Sequence, residues 1–239
     1  LTPAASLFTA LTDIPIAPIE ASLDEISAEI ILSASVDQDS RFDVALPATF
    51  GIPDLAEAEA ILPLDELAAE LAAELTESLY PLGDRYKGRL YGYQTDGDVY
   101  VMFYNRDWLT DPQHQAAYSE RFGTPLAVPL TWAELDRQMA FFHAPDAGRY
   151  GGSLFRNLNY IAWEFWSRLH GQGIYPLSDD MEPRLSTPEA LAALTQLIAA
   201  NDALAPDVWS AGLFDNFAAF AEGNRYCNIG WGGTQKHLH

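Results

Sequence analysis

Apolar positions along this chain recur with two periods, and the alternation between them lays out the elements. Ile14 to Ala21 is a short apolar run punctuated by Pro. Ser22-Leu23-Asp24-Glu25 then has capping-box spacing, in which a Ser oxygen takes an orphan amide and a Glu three residues on reaches back. Ile26, Ile30 and Ala34 continue one helical face. Phe42-Asp43-Val44-Ala45-Leu46-Pro47 predicts a buried strand that leaves through Pro, and Leu64, Leu67, Leu71 and Leu75 predict an amphipathic helix with Glu66, Glu70 and Glu74 on its solvated side.

Arg89 to Tyr93 and Val99 to Tyr104 read as strands on either side of the polar stretch Gln94-Thr95-Asp96-Gly97-Asp98. A polar Gly turn between buried strands lies at a sheet end, where open α/β folds place their ligands. Thr131-Trp132-Ala133-Glu134 is a second capping box, opening a helix with Leu135, Met139 and Phe142 inward. Ser186-Thr187-Pro188-Glu189 is a third start, with Pro tolerated in the first turn and Leu191, Leu194 and Ile198 as the expected buried stripe. Strands alternating with helices imply crossover connections, a mostly parallel sheet and an α/β fold. Trp108 and Trp132 are expected to be structural.

The 239 residues are 49% hydrophobic, enough for a core without staples, since a chain this long buries about 70% of its unfolded surface. The 34 Asp and Glu against 13 Lys and Arg leave a formal charge of −21, and no basic cluster is present to displace counterions, which argues against nucleic acid and anionic membrane partners. No apolar run approaches the roughly 20 residues of a membrane span. The single Cys227 excludes an intrachain disulfide or Cys-based zinc cage and has no persuasive His partner, and the five His include no His-Glu-x-x-His. Neither a Gly-x-Ser-x-Gly elbow nor a phosphate loop occurs, and Asp179-Asp180 with Glu182 reads as a solvated acidic loop. No catalytic residue, cofactor or metal is expected.

Four segments, in order, resemble the extracellular solute-binding proteins of ABC importers, the group that includes the maltose- and glycerol-phosphate-binding proteins. They are Phe42-Asp43-Val44 through Pro63-Leu64-Asp65-Glu66-Leu67; Leu90-Tyr91-Gly92-Tyr93 with Met102-Phe103-Tyr104-Asn105-Arg106-Asp107; Leu130-Thr131-Trp132-Ala133-Glu134-Leu135; and Phe217 to Trp231 with Phe220-Ala221-Glu222-Gly223 and Gly230-Trp231. The resemblance implies a bilobed, type II periplasmic-binding-protein-like α/β fold with solute held between the lobes. It places the first lobe at residues 1–93, lacking its first strand, and the hinge crossing and second lobe at 94–239, lacking the return to the first lobe. The chain starts at Leu1-Thr2-Pro3 without a signal peptide, as a trimmed exported protein does, and periplasmic localisation is the expectation.

The same resemblance implies the site. Asp98, six residues before Tyr104, would contact solute; by its residues alone Thr95-Asp96-Gly97-Asp98 is equally a turn, with Asp96 nearer to turn chemistry. Trp231 would stack on solute, with Gly232 and Gly233 offering backbone amides, and core packing is its alternative reading. Arg156 and Asn157 would donate to hydroxyls or pair with a carboxylate. Tyr160 and Trp163, one helical turn apart, would line a wall, although at least one of Trp163 and Trp166 is expected in the helix core. Thr49 lies in a first-lobe loop where relatives often carry a Trp and an acid; here Pro47 and Phe50 point to a smaller solute than an oligosaccharide. The expected function is capture of a small polar solute, carbohydrate or polyol favoured, by hinge closure of a monomer that delivers it to an ABC permease. Binding of a small organic acid or amine, ligand sensing without transport, and a carbohydrate-active enzyme are the alternatives.

Overall fold

The computed structural model describes residues 2–22, 25–37, 41–71, 83–95, 97, 99–178, 182–232 and 238. They divide into two compact units, Leu1–Gly97 and Asp98–His239.

The first unit carries α1 (Thr2–Thr12), α2 (Ile26–Asp37), α3 (Ile52–Glu57), α4 (Asp65–Glu70) and the paired strands β1 (Arg85–Tyr86) and β2 (Arg89–Leu90). The pairing is antiparallel, Arg85 opposite Leu90 and Tyr86 opposite Arg89. Between them Lys87 and Gly88 take φ of 48° and 79°, the two left-handed positions of a tight hairpin whose twist matches its strands. Polar side chains pin this hairpin to the helices. Glu57 accepts from Tyr86 Oη at 2.8 Å and Lys87 Nζ at 2.5 Å, and Asp65 accepts from Arg89 Nε at 2.6 Å and the Leu90 amide at 3.2 Å. Ile30, Ile52, Leu55 and Leu90 are its buried apolar residues.

Helix α2 begins at Ile26, but Ser22 does not cap it as a capping box would. Its hydroxyl donates to the Glu25 carboxylate at 2.8 Å, and its carbonyl accepts from the Glu25 and Ile26 amides. The strand expected at Phe42–Leu46 does not form. The segment is irregular, with a bend at Asp43, and Val44 is 85% exposed; no described strand pairs with it. The helix expected from Leu64 is α4, with Leu67 exposed, and its continuation past Leu71 lies outside the described residues. Ile14, Ile16 and Ile19 are exposed and irregular.

The second unit is built on β3 (Val101–Tyr104), α5 (Arg106–Thr110), α6 (Pro112–Phe122), α7 (Trp132–Phe142), β4 (Tyr150–Ser153), α8 (Ile161–His170), α9 (Pro188–Ala199), α10 (Leu213–Ala221) and β5 (Arg225–Gly230). Its sheet runs β3-β5-β4. Strands β4 and β5 are parallel, Ser153 opposite Asn228, while β3 and β5 are antiparallel, Tyr104 opposite Cys227. The described sheet is therefore mixed rather than mostly parallel, since β3 enters against its neighbour.

Helix α7 forms as its cap dictates: Thr131 Oγ1 accepts from the Glu134 amide at 3.2 Å and Glu134 Oε2 accepts from the Thr131 and Leu130 amides at 3.1 and 2.8 Å. Leu135, Met139 and Phe142 point into the core. The helix lies so close to β4 that a Cβ on Gly151 would sit 2.2 Å from the Met139 carbonyl oxygen, so only glycine fits there. Thr187 caps α9 through the Ala190 amide at 3.2 Å. The buried face of α9 is Ala190, Ala193 and Leu197, not the expected leucine stripe: Leu191 is 65% exposed, with Leu194 and Ile198 also exposed. The small residues face α8 because they let two helices approach closely. Cys227 is fully buried, and burial pushes its thiol up, so it stays protonated and unreactive.

Candidate functional site

The parallel strands β4 and β5 end side by side, and the chain leaving each one carries aromatic residues. Open α/β sheets place ligands outside such carboxyl ends. Past β5, Trp231 is half-buried, and its ring meets four others: Trp163 and Phe217 at 5.5 Å between centroids, Tyr100 at 5.6 Å and Phe155 at 6.1 Å. Trp163 also meets Tyr160 at 4.8 Å and Tyr100 at 6.5 Å. Six rings from β4's exit loop, α8, α10, the start of β3 and the end of β5 thus form one cluster. Tyr100 and Phe217 are members that sequence reasoning left out of the site; their signal was an aromatic adjoining a strand start and a helix facing Trp231.

Beneath the cluster lies a buried ionic network. Arg156 forks onto Glu164, and both side chains are nearly solvent-free. Arg168 Nε donates to Glu164 Oε1 at 2.9 Å, and its two terminal nitrogens donate to the Asp136 carboxylate at 2.8 Å each. The Arg168 guanidinium also lies over the Trp132 ring at 4.2 Å. Burial opposes its charge, but Asp136 and Glu164 hold its pKa above the usual Arg value. The sequence signal was the Glu164–Arg168 pair at i, i+4, which goes unnoticed because the partner Arg156 comes from the preceding loop.

The expected site residues meet different fates. Arg156, expected to offer donors to a solute, spends them within the protein: besides Glu164, they reach Asn201 Oδ1 at 2.5 Å, the Phe155 carbonyl at 2.7 Å and the Leu197 carbonyl at 3.1 Å. Asn157 is half-buried and shapes the start of α8, donating to the Ala211 carbonyl at 2.8 Å and accepting from the Tyr160 amide at 3.0 Å. Tyr160 is buried against Phe155 and Trp163, so it backs the cluster instead of facing solvent. Gly232 is exposed beside Trp231. Thr49 belongs to the first unit, exposed in a single 3-10 turn, Thr49–Gly51, next to an exposed Phe50. Asp96, Asp98 and Gly233 lie outside the described residues.

Among the described residues no group of three or more His, Cys, Asp or Glu is placed to hold a metal, and no helix is long and apolar enough to cross a membrane. A family model for the bacterial extracellular solute-binding proteins matches residues 4–238. This chain belongs to that family. Solved structures share its fold, among them three solute-binding proteins with bound small solutes. One is an ABC transporter solute-binding protein from Thermotoga lettingae bound with α-D-tagatose, at TM-score 0.77 and 20% identity, covering 98% of this chain and 58% of that one. Another, from Agrobacterium radiobacter with ribitol, has TM-score 0.69 and 19% identity over 99% of this chain and 58% of that one. A third, from Agrobacterium vitis with D-mannitol, has TM-score 0.69 and 18% identity over 98% and 55%. The α/β solute-binding fold expected from the sequence is met. The chain spans less than three fifths of the length of these structures. No curated protein matches it.

Proposed function

We propose that this chain is the solute-capturing part of an ABC importer, working outside the cytoplasmic membrane, in the periplasm, and handing its solute unchanged to a membrane permease. The favoured solute is a small neutral carbohydrate or polyol. The observation that carries this reading is the half-buried Trp231 at the carboxyl end of β5, braced on several sides by other rings. A rigid aromatic face suits the C–H surface of a sugar or alditol, and braced rings lose little entropy on binding. The relatives bound to tagatose, ribitol and mannitol support the same chemical class. An anionic solute is disfavoured, because the buried Arg156, the cation nearest in sequence to the cluster, already has carboxylate and carbonyl partners. Capture then works by population shift: the conformation that binds solute more tightly gains population, and the permease reads it. Asp98, Asp96, Gly232, Asn157 and Thr49 remain proposed polar contacts.

A thermal-shift panel of alditols, monosaccharides, disaccharides, amino acids and dicarboxylates tests the reading. At 100 times Kd a solute adds about 2.7 kcal/mol to stability, a readily resolved shift. Stabilisation by alditols or sugars is expected. A shift produced only by amino acids or dicarboxylates would overturn the solute class, and conversion of the solute to product would overturn the non-enzymatic role.

A further inference from the structure

Ser153, the last residue of β4, lies opposite Asn228 of β5, and Asn216 of α10 reaches Asn228. All three are buried, at 1%, 0% and 0% exposure. The Asn228 amide nitrogen donates twice, to the Ser153 carbonyl at 2.7 Å and to Asn216 Oδ1 at 2.5 Å. That double donation fixes both amide orientations, since reversing Asn228 would set its oxygen against the Ser153 carbonyl. It also leaves three polar atoms with no partner in the protein: the Asn228 Oδ1 acceptor, the Asn216 Nδ2 donor and the Ser153 hydroxyl.

Three orphaned polar atoms on touching residues, in a buried position, are costly to leave unpaired. One small molecule has the donors and acceptors to satisfy all of them. Water accepts from Asn216 Nδ2, donates to Asn228 Oδ1, and exchanges a third bond with the Ser153 hydroxyl, which serves as donor or acceptor. A buried water usually makes about three such bonds. We propose that a single structural water is held here, bridging β4, β5 and α10. Neighbouring elements make it more than filler. Phe217, next to Asn216, meets Trp231 and Phe155, and the chain leaving Ser153 leads directly to Phe155 and Arg156. The water therefore ties together three of the elements from which the aromatic cluster projects.

A crystal structure of the unliganded chain, at a resolution that orders solvent, decides the matter. The expected result is one density peak, refining as water, about 2.6–3.2 Å from all three atoms. No peak, with the three side chains turned to satisfy one another, overturns the proposal. So does a structure with a sugar or alditol in which a solute hydroxyl takes that position, which would make it a ligand subsite. In solution, water-oxygen magnetic relaxation dispersion counts long-lived internal waters, and Asn216→Leu is expected to lose one relative to the unaltered chain. An unchanged count in a folded variant also overturns it, and the unaltered chain's own structure remains decisive if that variant fails to fold.

Discussion

Arg156 and Glu164 form a forked ion pair in which both side chains are nearly sealed from solvent, at 0% and 3% exposure. The pair joins the loop after β4 to the first turns of α8, the segment that also carries Phe155, Tyr160 and Trp163.

Breaking that pair from one side leaves a buried charge without its counterion. Glu164→Ala leaves Arg156 without its counterion and Arg168 with Asp136 alone, and is expected to cost about 3–5 kcal/mol of unfolding free energy. Urea unfolding measures it. A loss below about 1 kcal/mol would show that water reaches the arginines and that the network is not sealed.

Trp231 has two jobs in this account, and truncation separates them. Trp231→Ala is expected to weaken solute binding by about 1–3 kcal/mol, the range for aromatic hot spots. It also costs stability, though less than the 3–5 kcal/mol of a fully buried aromatic, because this ring is only half-buried. Calorimetric titration with an alditol beside urea unfolding reads both. Stability loss with unchanged affinity would assign Trp231 to packing alone.

The start of α7 gives a pH-dependent test. The Leu130 amide, helped by Thr131, holds the Glu134 carboxyl below its ordinary value of 4.5. A depressed folded-state pKa contributes stability in full above the unfolded value and loses it as pH falls through the folded value. The difference in melting temperature between the unaltered chain and Glu134→Gln is therefore expected to be largest near pH 7 and to shrink below pH 4.5. A pH-independent difference would contradict the charged capping role. Thr131→Ala removes the other half of the box and is expected to cost about 1 kcal/mol.

Net charge sets the response to salt. With 34 acidic against 13 basic side chains the folded chain repels itself. Raising ionic strength from about 0.01 to 0.15 M shortens the screening length from about 30 to 8 Å. The exposed pairs Lys87–Glu57 and Arg89–Asp65 weaken too, but each such pair is worth only about 0–1 kcal/mol. The melting temperature is expected to rise with salt; a fall would mean that the exposed pairs outweigh the repulsion.

What the sequence disclosed and what it withheld divide along a physical line. Most locally encoded features were legible: the Thr131/Glu134 box, the Thr187-Pro188 start of α9, and the inward set Leu135, Met139 and Phe142, although the equally local Ser22–Glu25 box does not form as a cap. Features decided by a distant partner were not. Helix α9 carries two apolar stripes, and only the approach of α8 selects Ala190, Ala193 and Leu197 over the leucines. Phe42–Leu46 has the composition of a strand but no described neighbour to pair with. Arg156 reads as a free donor until Glu164, Asn201 and Leu197 are brought around it. Of the proposed site, the position of Trp231 after a glycine-flanked strand was legible, whereas the rings that brace it come from four separate segments.

The most direct test of the central claim is a calorimetric titration of small neutral alditols and sugars into the unaltered chain and into folded Trp231→Ala. The account predicts saturable binding of at least one alditol or sugar, recovered chemically unchanged, with affinity reduced about 5- to 150-fold in the variant. Absence of binding by every neutral polyhydroxy compound, or equal affinity in both proteins, would contradict it.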